Sequence, residues 1–171
     1  MVHQKTIFII LRILNKLKVN NSIENYALAG STALNYLLNN SISLAPNDVD
    51  IIIKYNNGWG NARSNIIKSI QEEIPLETKK IDDNEYLIIE GVLFHFLWYH
   101  YSELFKDALN NYKHFELNNL QINIIPIEYL MAILISSDED KHKNQLSMIS
   151  EDNYDKYTLN NILKNHDLET K

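Results

Sequence analysis

With 171 residues, 45% of them hydrophobic, the chain has material for one domain with a real core, and a wholly disordered protein is excluded. The formal net charge of -6, from 22 acidic against 16 basic residues, argues against a nonspecific nucleic-acid coat and makes a bulk nucleic-acid partner unattractive. There are no cysteines, which removes disulfide scaffolds, thiol chemistry and thiolate metal sites, and a cytoplasmic protein is expected.

The opening stretch MVHQKTIFIILRILNKLK has an apolar run broken by Arg12 and Lys16 and lacks a small-residue cleavage pattern. It reads as an amphipathic helix over 5–18 rather than a signal peptide, with Phe8, Ile10, Leu11, Leu14 and Leu17 forming the stripe. No run of about 18 apolar residues occurs, so no membrane span is expected. After the break at Asn20-Asn21-Ser22, Tyr26 to Ala29 is a short first strand and Thr32 to Leu38 a helix that Ser31 can cap. The link 41–47 contains Pro46, which cannot donate in a ladder, so a second strand runs from Asp48 to Lys54.

Asn56-Asn57-Gly58 is a turn, and Asn61 can cap a helix over 62–70. Leu76 to Ile81 reads as an edge strand, followed by a turn at Asp82-Asp83-Asn84. The segments 85–90 and 92–98 on either side of Gly91 read as one long bent strand or a tight hairpin, with two strands favoured. A helix over 101–109 and strands over 113–117 and 120–125 follow. Pro126 suits a first helical turn and opens a helix reaching about Ser136. After an acidic break at Asp138 to Asp140, helices over 141–149 and 157–165 close the chain. No repeat or Gly/Pro/Ser-rich linker divides the chain, so one domain over 1–171 with a helical tail at about 127–166 is expected. The element order implies an α+β core with that helical tail.

Chemistry concentrates between Tyr26 and Lys54. Strand side chains alternate, so Asp48 and Asp50 share one side while Val49, Ile51 and Ile53 face the other. Two carboxylates about 6–7 Å apart along a strand can share a hard divalent cation. Against this stands a plainer reading, a solvated turn followed by a strand-edge acid. Asp50 sits inside an apolar run, where burying a lone carboxylate is costly, and that favours a cation. Gly30 lets the backbone approach a ligand, and amides at the start of the following helix can face an anion such as a phosphate. Read alone, Gly30-Ser31 serves a simple helix start equally well.

The run Ala29-Gly30-Ser31-Thr32-Ala33-Leu34 followed by Asn47-Asp48-Val49-Asp50-Ile51 resembles the signature of the nucleotidyltransferase fold superfamily around DNA polymerase beta. The chain is most similar to small bacterial members: minimal nucleotidyltransferases of toxin–antitoxin systems, AbiEii-like toxins, and aminoglycoside or lincosamide nucleotidyltransferases. The resemblance implies a mixed β-sheet flanked by helices and magnesium-dependent transfer of a nucleotidyl group from ATP or another NTP to a hydroxyl acceptor. It places the phosphates on Gly30 and Ser31, and Mg2+ on Asp48 and Asp50. Lys141 matches the lysine of a Lys-Asp-x-x-Asp-Leu pattern after the proline-started helix and is assigned to the nucleotide.

The chain departs from the pattern in places. Ala45-Pro46-Asn47 stands where a basic residue usually precedes the acids, and His142 and Gln145 replace the two acids after Lys141. His95, in Gly91-Val92-Leu93-Phe94-His95-Phe96-Leu97, occupies the position of a third carboxylate that acts as general base. A neutral imidazole can accept a proton or ligate a metal but supplies no negative charge. The plain alternative for His95 is a core histidine bonded to a neighbour. Glu90 is the fallback base, although its parity differs from that of His95. The aromatic set Phe94, Phe96, Trp98, Tyr99 and Tyr101 is read first as core and second as a base-stacking surface. The histidines at 95, 100, 114 and 142 lack zinc-site spacing. The alternative function is a catalytically degenerate member that binds a nucleotide or a protein partner, as an antitoxin or regulatory subunit. Small antibiotic, protein hydroxyl and tRNA end all remain open as acceptors.

Overall fold

The computed structural model describes residues 2–38, 48–81, 84–137 and 139–168. The link at 41–47, the turn residues 82–83 and Asp138 of the acidic break fall outside them.

A first helix α1 (Val2–Val19) buries Ile7, Ile10, Leu11, Ile13, Leu14 and Leu17. Its stripe is rotated from the expected one, because Phe8 lies at its margin and is only half-buried while Ile7 and Ile13 go in. Strand β1 (Asn25–Leu28) then leads into helix α2 (Gly30–Leu37). The helix begins at Gly30 with Ala29 in the cap position and no side-chain cap bond, so Ser31 lies inside the first turn rather than capping it. Strand β2 spans Asp48–Lys54, followed by helix α3 (Trp59–Gln71), which starts at Gly58. Asn61 is within α3, where its amide donates to the Asn57 carbonyl at 2.9 Å, and it caps nothing.

Strands β3 (Leu76–Ile81), β4 (Asn84–Ile89) and β5 (Val92–Trp98) form an antiparallel meander. The β4–β5 turn holds Glu90 and Gly91 at φ 50° and 79°, the left-handed pair that a two-residue hairpin requires. A 3-10 turn at Tyr99–Tyr101 and helix α4 (Glu103–Asn110) follow; Ser102 caps α4 by accepting from the Phe105 amide at 3.1 Å. Strands β6 (Lys113–Leu117) and β7 (Leu120–Ile124) form a hairpin, and helices α5 (Ile127–Ile135), α6 (Asp140–Ser147) and α7 (Lys156–Asn165) complete the described chain. The result is the expected α+β architecture, a mixed sheet flanked by helices with a helical C-terminal region.

The seven strands run in the order β3-β4-β5-β2-β1-β7-β6. The pairs β2/β5 and β1/β7 are parallel, and the other neighbours are antiparallel. Because β1 and β2 run in opposite directions, the end of β1 and the start of β2 lie at the same end of the sheet. The start of β5 lies there as well, since β5 runs alongside β2. One face of the sheet is closed by α1 and α3: the fully buried Tyr26, paired with Ile53, donates to Asn15 Oδ1 of α1 at 2.8 Å. Burial pushes the Tyr26 phenol far above its ordinary range, so it stays a neutral donor. Arg12 and Lys16 of α1 meet Glu73 just beyond α3 and tie the two helices together at their margin. The other face carries α2, α5 and α6, and there the packing leaves a cavity.

Candidate functional site

Gly30 is the pivot. It sits at φ 61°, and a Cβ placed on it would overlap Asp50 Oδ2 and lie 3.0 Å from Asp50 Cγ. Only glycine accepts both the left-handed backbone and that approach. The backbone fixes the same neighbourhood, since the Ala29 amide donates to the Asp50 carbonyl at 2.9 Å. The glycine turn and the acid pair therefore share one cleft.

Along β2, Val49, Ile51 and Ile53 are buried, whereas Asp48 and Asp50 are partly open and line a cavity of about 510 Å³. Register places His95 beside Asp50 and Leu93 beside Asp48, so in parallel strands His95 and Asp50 point the same way. His95 Nδ1 lies 3.4 Å from Asp50 Oδ1, an electrostatic contact longer than a strong hydrogen bond. The imidazole also packs against Tyr86 of β4 in a tilted arrangement, with ring centroids 4.7 Å apart and planes 30° from parallel. Gly30, Ser31, Asp48, Asp50, His95 and Lys141 all line the cavity. Burial, and then the adjacent Asp50, push the Asp48 carboxyl above its ordinary value, while Lys141 and His95 partly offset them. Lys141 bridges to Glu139 at 3.0 Å; that bond raises its pKa, partial burial opposes the rise, and Asp48 and Asp50 add to it.

Glu90 is the site candidate that the fold does not bring to the cavity. It occupies the β4–β5 turn, and its carboxylate accepts from Thr6 Oγ1 of α1 at 2.7 Å, on the face opposite Asp50. Its place in the two-residue turn, at a left-handed φ of 50°, takes it out of the strand alternation that holds His95 on the cavity face. The aromatic set does not converge on the cleft either: Phe94 and Phe96 are core, Trp98 packs on Trp59 with centroids 4.5 Å apart, and Tyr101 is exposed. His114 meets Asn123 at 3.1 Å and His166 meets Asp107 at 3.0 Å, both away from the cavity.

Of the cavity residues not legible as site residues in the sequence, Tyr86, Glu139 and His142 bear on the chemistry. Tyr86 belongs to β4, and only its register against β5 shows that it faces the cavity. Glu139 reaches the cavity from the segment before α6. His142 was visible only as a departure from a motif; it lines the cavity, its Nδ1 is buried without a hydrogen-bond partner among the described residues, and burial lowers its pKa.

Fitness for a divalent cation can be judged from these donors. Two carboxylates on one strand face, each disfavouring the other's charge, suit one hard cation. Among the described residues no group of three or more His, Asp or Glu side chains is arranged to hold a metal. The donors thus fit a single cation on Asp48 and Asp50, and a three-carboxylate centre for two ions is not present among them.

No protein-family model matches the chain, and no curated protein matches it in sequence. Solved structures do match. An antigenic nucleotidyltransferase-like protein from Paracoccidioides brasiliensis superposes with a TM-score of 0.58 at 14% identity, over 92% of this chain and 85% of that one. The antibiotic-resistance factor ANT(2'')-Ia, whose solution structure reveals substrate-regulated conformation dynamics, gives a TM-score of 0.51 at 11% identity, over 95% and 93%. The chain therefore has a nucleotidyltransferase-like fold. At these identities the likeness is one of fold. No helix among the described residues is long and apolar enough to cross a membrane.

Proposed function

We propose that this protein transfers a nucleotidyl group from an NTP, ATP among them, to a hydroxyl acceptor, assisted by Mg2+ held on Asp48 and Asp50. The observation that carries the reading is the Gly30–Asp50 approach, which puts a glycine turn and an acid pair in one cleft of a nucleotidyltransferase-like fold. Backbone amides following Gly30 and Ser31 bind the phosphate chain at the start of α2. A cation on the two aspartates would neutralise the triphosphate and polarise the α-phosphoryl group. Lys141 adds a second positive charge on the far wall, oriented by Glu139.

His95 accepts the acceptor's proton, aligned by Asp50 at Nδ1 and using Nε2. The acceptor oxygen then bonds to the α-phosphorus, the α–β phosphoanhydride bond breaks, and pyrophosphate leaves. Positioning and charge compensation supply most of the acceleration in such a site.

Incubation with γ-labelled NTPs and Mg2+, read as release of labelled pyrophosphate, tests the proposal; Asp50→Asn is expected to lower release on the order of 10²–10³-fold. Full activity in that variant would defeat it. A second reading is favoured by the imidazole in place of a third acid: the protein binds a nucleotide without turnover and acts on a protein partner. Saturable NTP binding by calorimetry with no pyrophosphate released would select it.

A further inference from the structure

Tyr86 lines the same cavity from a strand that carries no other part of the proposed chemistry. The β4–β5 ladder pairs Leu87 with Phe94, and one step further sets Tyr86 against His95. Tyr86, His95 and Asp50 thus form a row across three adjacent strands, which Gly30 closes at the far side of Asp50. The imidazole in the middle has two contacts of different kinds. Asp50 meets its Nδ1 edge at 3.4 Å, too long to fix a ring by itself, and the Tyr86 ring packs against it, tilted by 30°, at 4.7 Å between centroids. His95 has two rotatable side-chain bonds, and neighbouring packing decides which rotamer it keeps.

We propose that Tyr86 is a positioning residue: its ring holds the His95 imidazole in the plane that keeps Nδ1 on Asp50 and leaves Nε2 for the acceptor. The inference rests on the reading of His95 as the base, and it concerns a residue that does not touch the reacting atoms. An aromatic face is what the role requires. The phenol hydroxyl is not, so phenylalanine serves and an aliphatic or small side chain does not.

The test compares Tyr86→Phe, Tyr86→Leu and Tyr86→Ala, with Tyr86→Leu retaining bulk in case the alanine variant fails to fold. Imidazole 15N shifts report which His95 nitrogen carries the proton and whether one arrangement dominates. Tyr86→Leu and Tyr86→Ala are expected to move the His95 15N pattern toward a mixture. They should also lower kcat on the order of 10–100-fold, with KM for the NTP within about twofold of wild type, as expected when a reacting group is misplaced but binding is intact. Tyr86→Phe should restore both the spectrum and kcat. An unchanged His95 pattern in Tyr86→Leu, or a Tyr86→Phe variant as impaired as Tyr86→Ala, overturns the proposal. The spectra need no turnover, so they decide the placement of His95 by themselves; absence of transfer in the wild-type protein counts against the proposed reaction alone.

Discussion

The two faces of β2 differ more than any two elements of the molecule. Val49, Ile51 and Ile53 are sealed beneath α1 and α3, and each makes contacts that only shape and apolarity decide. Asp48 and Asp50, one residue away in each case, open on a cavity and repel each other. The same seven-residue strand therefore contains a purely structural face and a charged one. The structural face carries stability and tolerates no loss of volume. The charged face adds no apolar packing, and the buried Asp48 carboxyl works against stability when ionised.

Substitutions on each side should separate the two. Asp50→Asn keeps shape and removes the charge; transfer is expected to fall on the order of 10²–10³-fold, as when a preorganised electrostatic group is removed, with little change in thermal unfolding. Ile51→Ala should do the reverse, costing about 2–5 kcal/mol in denaturant unfolding through the cavity it leaves, while surviving folded molecules keep their nucleotide affinity. If both variants lose stability equally, the division between the faces is not real.

Gly30→Ala lies on the seam between them and should show both effects, each smaller in its own measure. The left-handed backbone costs roughly 1–3 kcal/mol in a residue with a Cβ. The displaced Asp50 carboxylate should also weaken NTP binding, measured by calorimetry. An alanine variant with wild-type stability and affinity would mean that the close approach is not needed.

The sequence was most informative where one local rule sufficed. Pro46 and the alternation after it marked β2 from Asp48 to Lys54, and Gly91 between two strand-like runs favoured the two strands that meet at Glu90-Gly91. Pro126 marked the start of α5, again a local steric rule. The failures needed tertiary information. Ser31 and Asn61 are good caps by residue type, but Gly30 and Gly58 already begin α2 and α3 and leave them inside the first turns. Phe8 was displaced by Ile7 and Ile13 because a whole sheet face, rather than a narrow stripe, covers α1. For the site, Gly30, Asp48 and Asp50 were legible through spacing. Tyr86 was not: the hairpin reading sets β4 beside β5, but Tyr86 meets His95 only through the register that the two-residue turn imposes.

The smallest expected effect has the least usual sign. Burial, with Asp50 next, raises the Asp48 carboxyl above its ordinary 3.8, Lys141 and His95 offsetting part of the rise. A carboxyl whose pKa is higher in the folded state binds a proton more readily folded than unfolded. Stability then falls as pH rises from 3.8 through the raised value, and the deficit persists at neutral pH. Asp48→Asn removes that deficit, so the variant should unfold at a slightly higher temperature than wild type at neutral pH, with the difference shrinking as pH drops toward about 4. Mg2+ should narrow the same gap by stabilising the wild-type protein and leaving Asp48→Asn unmoved, because the repulsion it relieves is gone. Thermal unfolding followed by circular dichroism, at several pH values with and without Mg2+, measures both. An Asp48→Asn variant less stable than wild type at neutral pH would mean that the bonds the carboxylate accepts outweigh its burial. The acid pair would then belong with the structural face of β2 rather than opposite to it.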